Sequence, residues 1–284
     1  MKILTACIIA ASVVLALSSC DDSLVNIPES GKGGNGGAAR DLTVRGHVLE
    51  GRAIDARGNP LKGVSIYAGN PEWDNYYVAA PIIASTDKGG NYVIPELLDG
   101  QIYKAFARIP VDFHGKEFCL RLSPATSSEY ETFSATDGAV RNFEWKLQGK
   151  MKDSPFGEDE SGAQYGGSVQ IFPTFSNGDD YTGKVELRLY PTGPLVDGSE
   201  GKEVIRTVGL KSNIALDIPL GTYRASAILV RSDGARIPLK VGDLSSSAAD
   251  SASLEFEPDS TSACRSGGTT TSNGIKRAYL HVFG

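Results

Sequence analysis

Turn-forming residues divide the chain after residue 42 into short segments, and this division constrains the fold more than any other feature. No long segment carries apolar residues at helical spacing, whereas Val, Thr and Tyr recur in runs of strand length. Gly is abundant, at 33 residues, and supplies turns between such runs. Short β-strands joined by turns are the expected outcome of this pattern. We therefore predict an all-β chain.

The first 20 residues form a separate unit. Lys2 precedes an almost unbroken apolar run over residues 3–17, which is shorter than the about 20 residues that a bilayer-spanning helix needs. A short apolar run behind a positive charge is typical of a secretion signal. The run ends in Leu17-Ser18-Ser19-Cys20, which resembles the lipobox of signal peptidase II substrates. The resemblance implies cleavage of the signal peptide, residues 1–19, and acylation of Cys20; an ordinary secretory signal or a short signal anchor is the alternative.

The residues after the signal favour an anchored, acidic envelope protein. Two or three acyl chains on one cysteine hold a protein stably on a membrane. Residues 20–42 are rich in Gly and Ser and poor in aromatics, as in a flexible stalk. Loss of residues 1–19 moves the formal charge from −6 to −7, which excludes nucleic acid as a partner. We predict the outer membrane as its location, with Asp21 and Asp22 resembling a surface-export signal.

Two cysteines remain in the body of the protein. Cys119 lies in an apolar run, and Cys264 lies in a polar loop rich in Ser, Gly and Thr. The envelope permits disulfide formation. Burial of one thiol and exposure of the other would prevent the bond. The sequence therefore leaves a disulfide between Cys119 and Cys264 as one of two alternatives.

The first part of the body reads as strand, turn and strand. A strand over 44–53 leads into a turn over 55–60 and a second strand over 64–67, which predicts a β-hairpin. The succession resembles the carboxypeptidase regulatory-like domain, a transthyretin-like β-sandwich, over roughly residues 43–112. The resemblance rests on Gly46, Asp55, Gly58, Pro60, Leu61, Gly63, Val64, Thr86, Asp87, Gly89, Gly90, Tyr92 and Ile94. It implies a sandwich with an accessory role and brings no catalytic residues.

A second β-sandwich follows, so the prediction is two tandem modules. We place the first at 43–150, a polar linker at 151–166 and the second at 167–284. Its predicted strands are 168–172, 184–190, 204–208, 213–218, 222–230, 235–241, 252–256 and 276–283. A faint repeat relates Ile94-Pro95 followed by Tyr103 to Ile218-Pro219 followed by Tyr223. Each copy reads as strand, corner and strand, either as a shared structural solution or as a duplication.

Residues for catalysis or metal binding are sparse in the sequence. The histidines His47, His114 and His281 stand apart, without the spacing of a metal site or a Cys-x-x-Cys partner. No nucleophile elbow or phosphate-binding loop is present. The acidic stretch 158–160 lacks the full spacing of a calcium loop. We therefore predict no catalytic residues, no metal and no cofactor.

One aromatic segment is the sequence's best candidate binding site. Trp73, Asp74, Tyr76 and Tyr77 combine flat rings that can stack on sugars with polar groups that can bond to hydroxyls. The plainer alternative is that the rings cover the end of the sandwich. The predicted function is a non-catalytic envelope module that binds carbohydrate or protein. A glycan hydrolase and a purely structural spacer are the alternatives.

Overall fold

A computed structural model describes residues 42–72, 77–152, 154, 161–175, 183–243, 248–259, 264 and 272–284. Of residues 72–80, only backbone is considered, and Ser161 is treated in the same way. In the described part, regular structure consists of strands and two 3-10 helices, with no α-helix. The all-β prediction is thus confirmed. Nor does this part hold a helix that is long and apolar enough to cross a membrane.

The strands fall into two groups along the chain. The first group is β1 Leu49–Ile54, β2 Ser65–Glu72, β3 Tyr77–Ser85, β4 Asn91–Ile94, β5 Ile102–Phe113, β6 Lys116–Arg121, β7 Ser123–Pro124, β8 Phe133–Ser134, β9 Ala139–Val140 and β10 Phe143–Glu144. The second group is β11 Gly167–Thr174, β12 Lys184–Pro191, β13 Val204–Gly209, β14 Ile214–Ile218, β15 Tyr223–Val230, β16 Arg236–Gly242, β17 Ala252–Leu254, β18 Glu257–Pro258, β19 Ile275–Lys276 and β20 Ala278–Phe283. The 3-10 helices are Ser127–Tyr130 and Ser161–Ala163.

The first group builds a two-layer sandwich, here the first sandwich. One sheet has the order β4-β1-β10-β7, with β9 also paired to β1, and the other has the order β3-β2-β5-β6, with β8 paired to β5. Leu49, Ile66, Ile109 and Phe143 are among the fully buried residues between the layers. The sandwich that the family resemblance implied is present, while membership of that family stays a prediction.

The predicted hairpin over residues 44–67 is wrong in its pairing. The turn forms as expected, because the Asp55 carboxylate accepts hydrogen bonds from the N–H groups of Arg57 and Asn59, both at 2.8 Å. However, β1 pairs with β4, whereas β2 pairs with β3 and β5. The turn therefore carries the chain from one layer to the other. Local turn chemistry fixes the reversal of the chain, but the burial of both apolar faces decides which strands pair.

A second turn of the same kind returns the chain from β3 to the sheet that contains β1 and β4. The Asp87 carboxylate accepts hydrogen bonds from the N–H groups of Gly89 and Asn91, at 2.8 and 2.9 Å. Gly90 has φ +75°, and a Cβ there would lie 2.5 Å from the carbonyl oxygen of Ala53. Only glycine fits this approach, so the two turns pack side by side.

The second group builds one sheet that folds over itself into the second sandwich. Its order is β13-β12-β15-β16-β20-β11-β14, with β17 also paired to β15. The first half of β16 pairs with β15, and its second half, from Lys240, pairs with β20. Strands β13 and β14 are the two ends of this strand order. The Arg206 guanidinium of β13 donates hydrogen bonds to the carbonyl oxygens of Leu216 and Asp217 in β14, at 2.8 and 2.6 Å. The side chain thereby ties β13 to β14, which are not paired by backbone.

Both sandwiches turn the same kind of corner, as the sequence repeat predicted. The chain crosses between layers from β4 to β5 and from β14 to β15. Tyr223 donates a hydrogen bond from its hydroxyl to the carbonyl oxygen of Pro219 at 2.7 Å, and the Tyr103 hydroxyl accepts one from the N–H of Leu98 at 3.2 Å. A buried tyrosine bonded back to its own corner is a recurrent device of β-sandwiches. The repeat thus marks one structural solution used twice.

The two sandwiches share their interior. A single apolar cluster contains buried residues of both, including Leu120 and Trp145 on one side and Leu220 and Leu280 on the other. The segment that connects the two sandwiches is held at both ends by Asp217. The Asp217 carboxylate accepts hydrogen bonds from the N–H groups of Gly149 and Gly166. In the described ends of the predicted linker, Met151 and Ala163 are buried. The division into two domains at residues 151–166 stays a prediction.

Candidate functional site

The predicted aromatic site lies almost wholly outside the described residues. This holds for Trp73, Asp74 and Tyr76, and also for the lipidation candidate Cys20. Tyr77 begins β3, and its backbone pairs with Glu72 of β2. The four residues 73–76 therefore connect two paired strands. Their role in binding stays a prediction.

Exposed apolar residues surround the end of the first sandwich toward which β2 runs. Leu98 is 67 % exposed, Val44 63 % and Ile102 47 %. Gly69 pairs with Lys104, so residues beyond Gly69 extend toward the start of β5 at Ile102. The segments of Val44 and Leu98 meet there through the N–H of Leu97, which donates to the carbonyl oxygen of His47 at 2.9 Å. We call these three residues the apolar end.

The three histidines occupy separate places. His47 has φ +59°, and its Nδ1 lies 3.1 Å from the carbonyl oxygen of Leu97. His114 lies in the turn between β5 and β6, with its ring 4.3 Å from that of Phe113. His281 lies in β20, in the other sandwich. No cluster of three or more His, Cys, Asp or Glu side chains able to hold a metal ion occurs among the described residues.

Two buried carboxylates have structural partners. Glu50 accepts a hydrogen bond at 2.7 Å from the guanidinium of Arg45. Glu129 accepts hydrogen bonds from the backbone N–H groups of Thr126 and Asn142, at 2.8 and 3.0 Å. Such bonds compensate the burial of charge. Each carboxylate holds neighbouring segments of chain together.

A small crevice lies where the two sandwiches meet. Its walls include the side chains of Arg121, Trp145, Tyr165 and Leu220. Its cavity volume is about 10 Å³, which is far below the roughly 300–1,000 Å³ of usual small-molecule sites. Burial strongly raises the pKa of Tyr165, so its hydroxyl stays neutral. The crevice does not have the size of a substrate pocket.

The two cysteines of the body are bonded to each other. Cys119 of β6 and Cys264 have Cα atoms 5.5 Å apart and are separated by 145 positions in sequence. Both residues are buried, at 6 % and 7 % exposure. The two cysteines thus share one environment, and the arrangement that would prevent the bond, with one residue buried and the other exposed, does not occur.

The disulfide fastens a strap, defined as the described residues 255–259, 264 and 272–276, to the outer side of sheet β3-β2-β5-β6. Tyr67 and Phe106 stack there with centroids 4.6 Å apart, and the Arg121 guanidinium lies 4.8 Å from the Phe106 centroid. The Tyr67 hydroxyl donates a hydrogen bond to the carbonyl oxygen of Cys264. Arg108 donates one to the carbonyl oxygen of Ser272 at 2.9 Å. We call this the covered face.

Burial determines the electrostatics of the covered face. Arg108 is only 3 % exposed, and burial, with the nearby charge of Arg121, lowers its pKa to about 10. Burial also raises the pKa of Tyr67. Both groups keep their usual protonation state at neutral pH. Their hydrogen bonds to the strap are therefore intact under physiological conditions.

The second sandwich carries a comparable set of rings that is partly exposed. Phe172 of β11 lies beside His281 of β20, with centroids 5.0 Å apart and planes at 19°. Tyr279 lies 5.9 Å from Phe172, and Phe283 lies 6.4 Å from His281. Tyr279 is 55 % exposed, and the other three are half-buried. We call these four residues the aromatic row.

Alternation along β20 places the row on the outside. Leu280 and Val282 are buried in the core, so Tyr279, His281 and Phe283 project from the opposite face. Polar groups border the row. The Arg277 guanidinium donates a hydrogen bond to Gln170 at 3.2 Å, and Lys240 pairs with Asp250 at 2.6 Å. The result is a ring surface with hydrogen-bonding groups at its margin.

The aromatic row is the surface that sequence reasoning missed. The strand Ala278-Tyr279-Leu280-His281-Val282-Phe283 is apolar or aromatic at nearly every position. A strand in a one-sided sheet normally alternates apolar with polar residues. Apolar or aromatic side chains on both faces were therefore the available signal. In the sequence, His281 stands apart from the other histidines.

Comparisons with known proteins concern the fold alone. No family model and no curated protein matches this chain. Among solved structures, it is similar to the Bacillus anthracis TIE protein, at 13 % identity and a TM-score of 0.32, over 83 % of this chain and 34 % of that one. A streptococcal ancillary pilin gives 13 % and 0.25, over 83 % and 61 %.

A third structure, a DUF3823 family protein from Bacteroides ovatus, gives 12 % identity and a TM-score of 0.22, over 73 % of this chain and 98 % of that one. This chain spans about a third of the length of the first of the three proteins and about three fifths of the second. At such identities and scores we draw no functional conclusion from them.

Proposed function

We propose that this chain is a lipid-anchored, non-catalytic module of the cell envelope that binds carbohydrate through the aromatic row. The observation that carries the proposal is the partly exposed row of stacked rings of Phe172, Tyr279, His281 and Phe283 on the outer side of the sheet, with planes 19–30° apart. Contiguous apolar surface rimmed by polar groups is characteristic of interaction sites.

Carbohydrate fits this chemistry better than a charged ligand. One face of a pyranose ring is apolar and stacks on aromatic rings, and its hydroxyls need hydrogen-bonding partners at the margin. Gln170, opposite Tyr279 in the strand register, and Thr174, opposite Phe283, lie where such partners are needed. The paired Lys240 and Asp250 add no net charge. The row therefore suits a glycan.

The anchor rests on Cys20 and its lipobox-like context, with outer-membrane placement as the proposed location. The 22 residues from Cys20 to Asp41 would separate the lipid from the first described residue. Replacement of the acylated residue, Cys20→Ala, should move the protein from the membrane fraction to the soluble fraction. Continued partition with membranes would contradict the anchor.

The binding experiment uses the chain from residue 21 onward on a broad glycan panel. Binding of at least one glycan is expected, and Tyr279→Ala should weaken it at least about fivefold, or about 1 kcal/mol, because one stacked ring is lost. The control Ile205→Ala removes a side chain that is 43 % exposed on β13 and should leave affinity unchanged. Failure to bind any glycan, or unchanged binding by Tyr279→Ala, would contradict the proposal.

A second candidate is protein or glycan binding at the apolar end together with the 73–76 connection. The exposure of Val44, Leu98 and Ile102 favours it. Loss of binding in Trp73→Ala and Leu98→Asp, with full binding by Tyr279→Ala, would assign recognition to that end. Turnover of a glycan by the same protein would instead support the hydrolase alternative. If no variant changes any interaction, the structural-spacer alternative is favoured.

A further inference from the structure

Strand β3 is a sheet edge that no other strand of the described residues pairs with on its outer side. It is the outermost strand of the order β3-β2-β5-β6, and none of its nine residues, Tyr77–Ser85, is charged. Ile82 and Ile83 are 37 % and 44 % exposed. Natural proteins usually protect such an edge with charges, because unpaired N–H and C=O groups attract another strand.

Other edges in the described part of the chain are short or covered. Strand β4 has four residues, and β7 has two. Along β6, Lys116 forms ion pairs with Glu255 and Glu257 of the strap, at 3.1 and 2.8 Å. Strands β13 and β14 are tied together by Arg206. Strand β3 has none of these protections.

The hydrogen-bond pattern shows which groups of β3 face outward. The N–H of Thr86 donates to the carbonyl oxygen of Val64 at 3.0 Å, on the β2 side. Bonding directions alternate along an antiparallel strand, so Ala84 and Ile82 also face β2. The backbone groups of Ile83 and Ser85 then point to the open side. Pro81 has no N–H, so Ile83 and Ser85 are the donors that this half of β3 offers to the open side, and Pro81 offers only its carbonyl oxygen.

We propose that β3 pairs antiparallel with β3 of a second copy of this chain, about a two-fold axis at Ile83. An edge paired with itself across a two-fold axis is complementary by symmetry. In this register Ile83 lies opposite Ile83, and Ser85 lies opposite Pro81. The first charged residues after β3, Asp87 and Lys88, lie opposite uncharged Ala79 and Val78.

Charge supports a second copy over another partner. The body has an excess of acidic residues, so two copies repel one another over most of their surfaces. The uncharged edge is a place where two copies can approach without like charges meeting. Because the pairing spans only about four residues, the dimer should be weak, with a Kd on the order of 0.1 mM.

The first test measures mass against concentration for the chain from residue 21 onward, by sedimentation equilibrium. We expect a reversible monomer–dimer equilibrium that Ile83→Lys weakens at least about tenfold, since each copy then brings a charge to the axis. Ile205→Lys is the matched control, because Ile205 is also about 43 % exposed but lies on β13. A monomer at every concentration, or equal effects of the two variants, would overturn the proposal.

The second test uses cross-linking and does not depend on how Lys is tolerated. The native Cys119 and Cys264 are bonded to each other, and Cys20 is absent from the shortened chain. Opposed residues of an antiparallel pair have Cβ atoms about 4.5–5.5 Å apart. Ile83→Cys should therefore form a covalent dimer under oxidation, whereas Ile205→Cys should not.

Amide hydrogen exchange distinguishes a second copy at the β3 edge from residues 21–41 of the same chain. In the proposed dimer, protection of the Ile83 and Ser85 amides rises with protein concentration. Protection that is independent of concentration and disappears when residues 21–41 are removed would assign the edge to that segment of the same chain, and would overturn the dimer. Glycan binding by the aromatic row is measured separately, so either proposal can fail alone.

Discussion

The covered face of the first sandwich and the aromatic row of the second are similar surfaces with different fates. Each is a set of rings on the outer side of a sheet, Tyr67 with Phe106 in one and Phe172 with His281 in the other. A strap fixed by Cys264 lies over the first set and makes it interior. The second set faces solvent. An aromatic sheet face thus becomes core or binding surface according to whether the chain returns across it.

The largest expected effect comes from breaking the disulfide that fixes the strap. Replacing both Cys119 and Cys264 by Ala removes a link across 145 positions, which constrains the unfolded chain strongly. We expect a loss of about 4–5 kcal/mol in the free energy of unfolding, measured by urea denaturation. Reduction of the unaltered protein should give a similar loss. Stability unchanged by both treatments would show that packing alone holds the strap.

The next effect compares one ring from each surface. Phe106 is fully buried, so Phe106→Ala should lower the free energy of unfolding by about 3–5 kcal/mol. Phe172 is half-buried, and Phe172→Ala should cost only about 1 kcal/mol. Urea denaturation of both variants gives the two values. Equal losses would mean that the two faces are equally part of the core.

The smallest effect concerns the hydrogen bond from Tyr67 to the strap. Tyr67→Phe removes it and should lower the free energy of unfolding by about 1 kcal/mol at pH 7. Burial raises the pKa of Tyr67, so its contribution is fully present below the pKa of an unfolded tyrosine, about 10, and is lost above it. Between pH 7 and about 11 the unaltered protein should therefore lose more stability than Tyr67→Phe. Parallel pH profiles would contradict this assignment.

Much of the local structure could be predicted from residues alone. Each of the eight strands predicted in the second sandwich overlaps a strand of the structure, from β11 to β17 and β20. Residues 139–147 partly alternate polar and apolar side chains, and burial follows this pattern, since Phe143 and Trp145 are buried and Glu144 is not. These residues form two short strands, β9 and β10, and not the single strand that the pattern predicts. Periodicity reports the faces of a segment better than its pairing.

The candidate site was much harder to predict. The Trp73 segment is the candidate that the sequence indicates, because aromatic and polar residues are adjacent there. The aromatic row combines Phe172 with residues more than 100 positions later, and parallel pairing of β11 with β20 brings them together. Parallel strands that are distant in sequence leave no local signal of their contact. The only local signal of the row is the alternation within β20, which predicts that Tyr279, His281 and Phe283 share one face.

By itself, the sequence determined where strands and turns form, since side-chain periodicity and Asp–Gly turn chemistry act within a few residues. It also determined the two tyrosine corners, each built within about five residues of chain. The tertiary structure decided which strands pair, that Cys119 meets Cys264, and which aromatic face is covered. Those outcomes depend on burial of apolar surface between distant segments, a free energy that belongs to the assembled chain rather than to any one stretch of it.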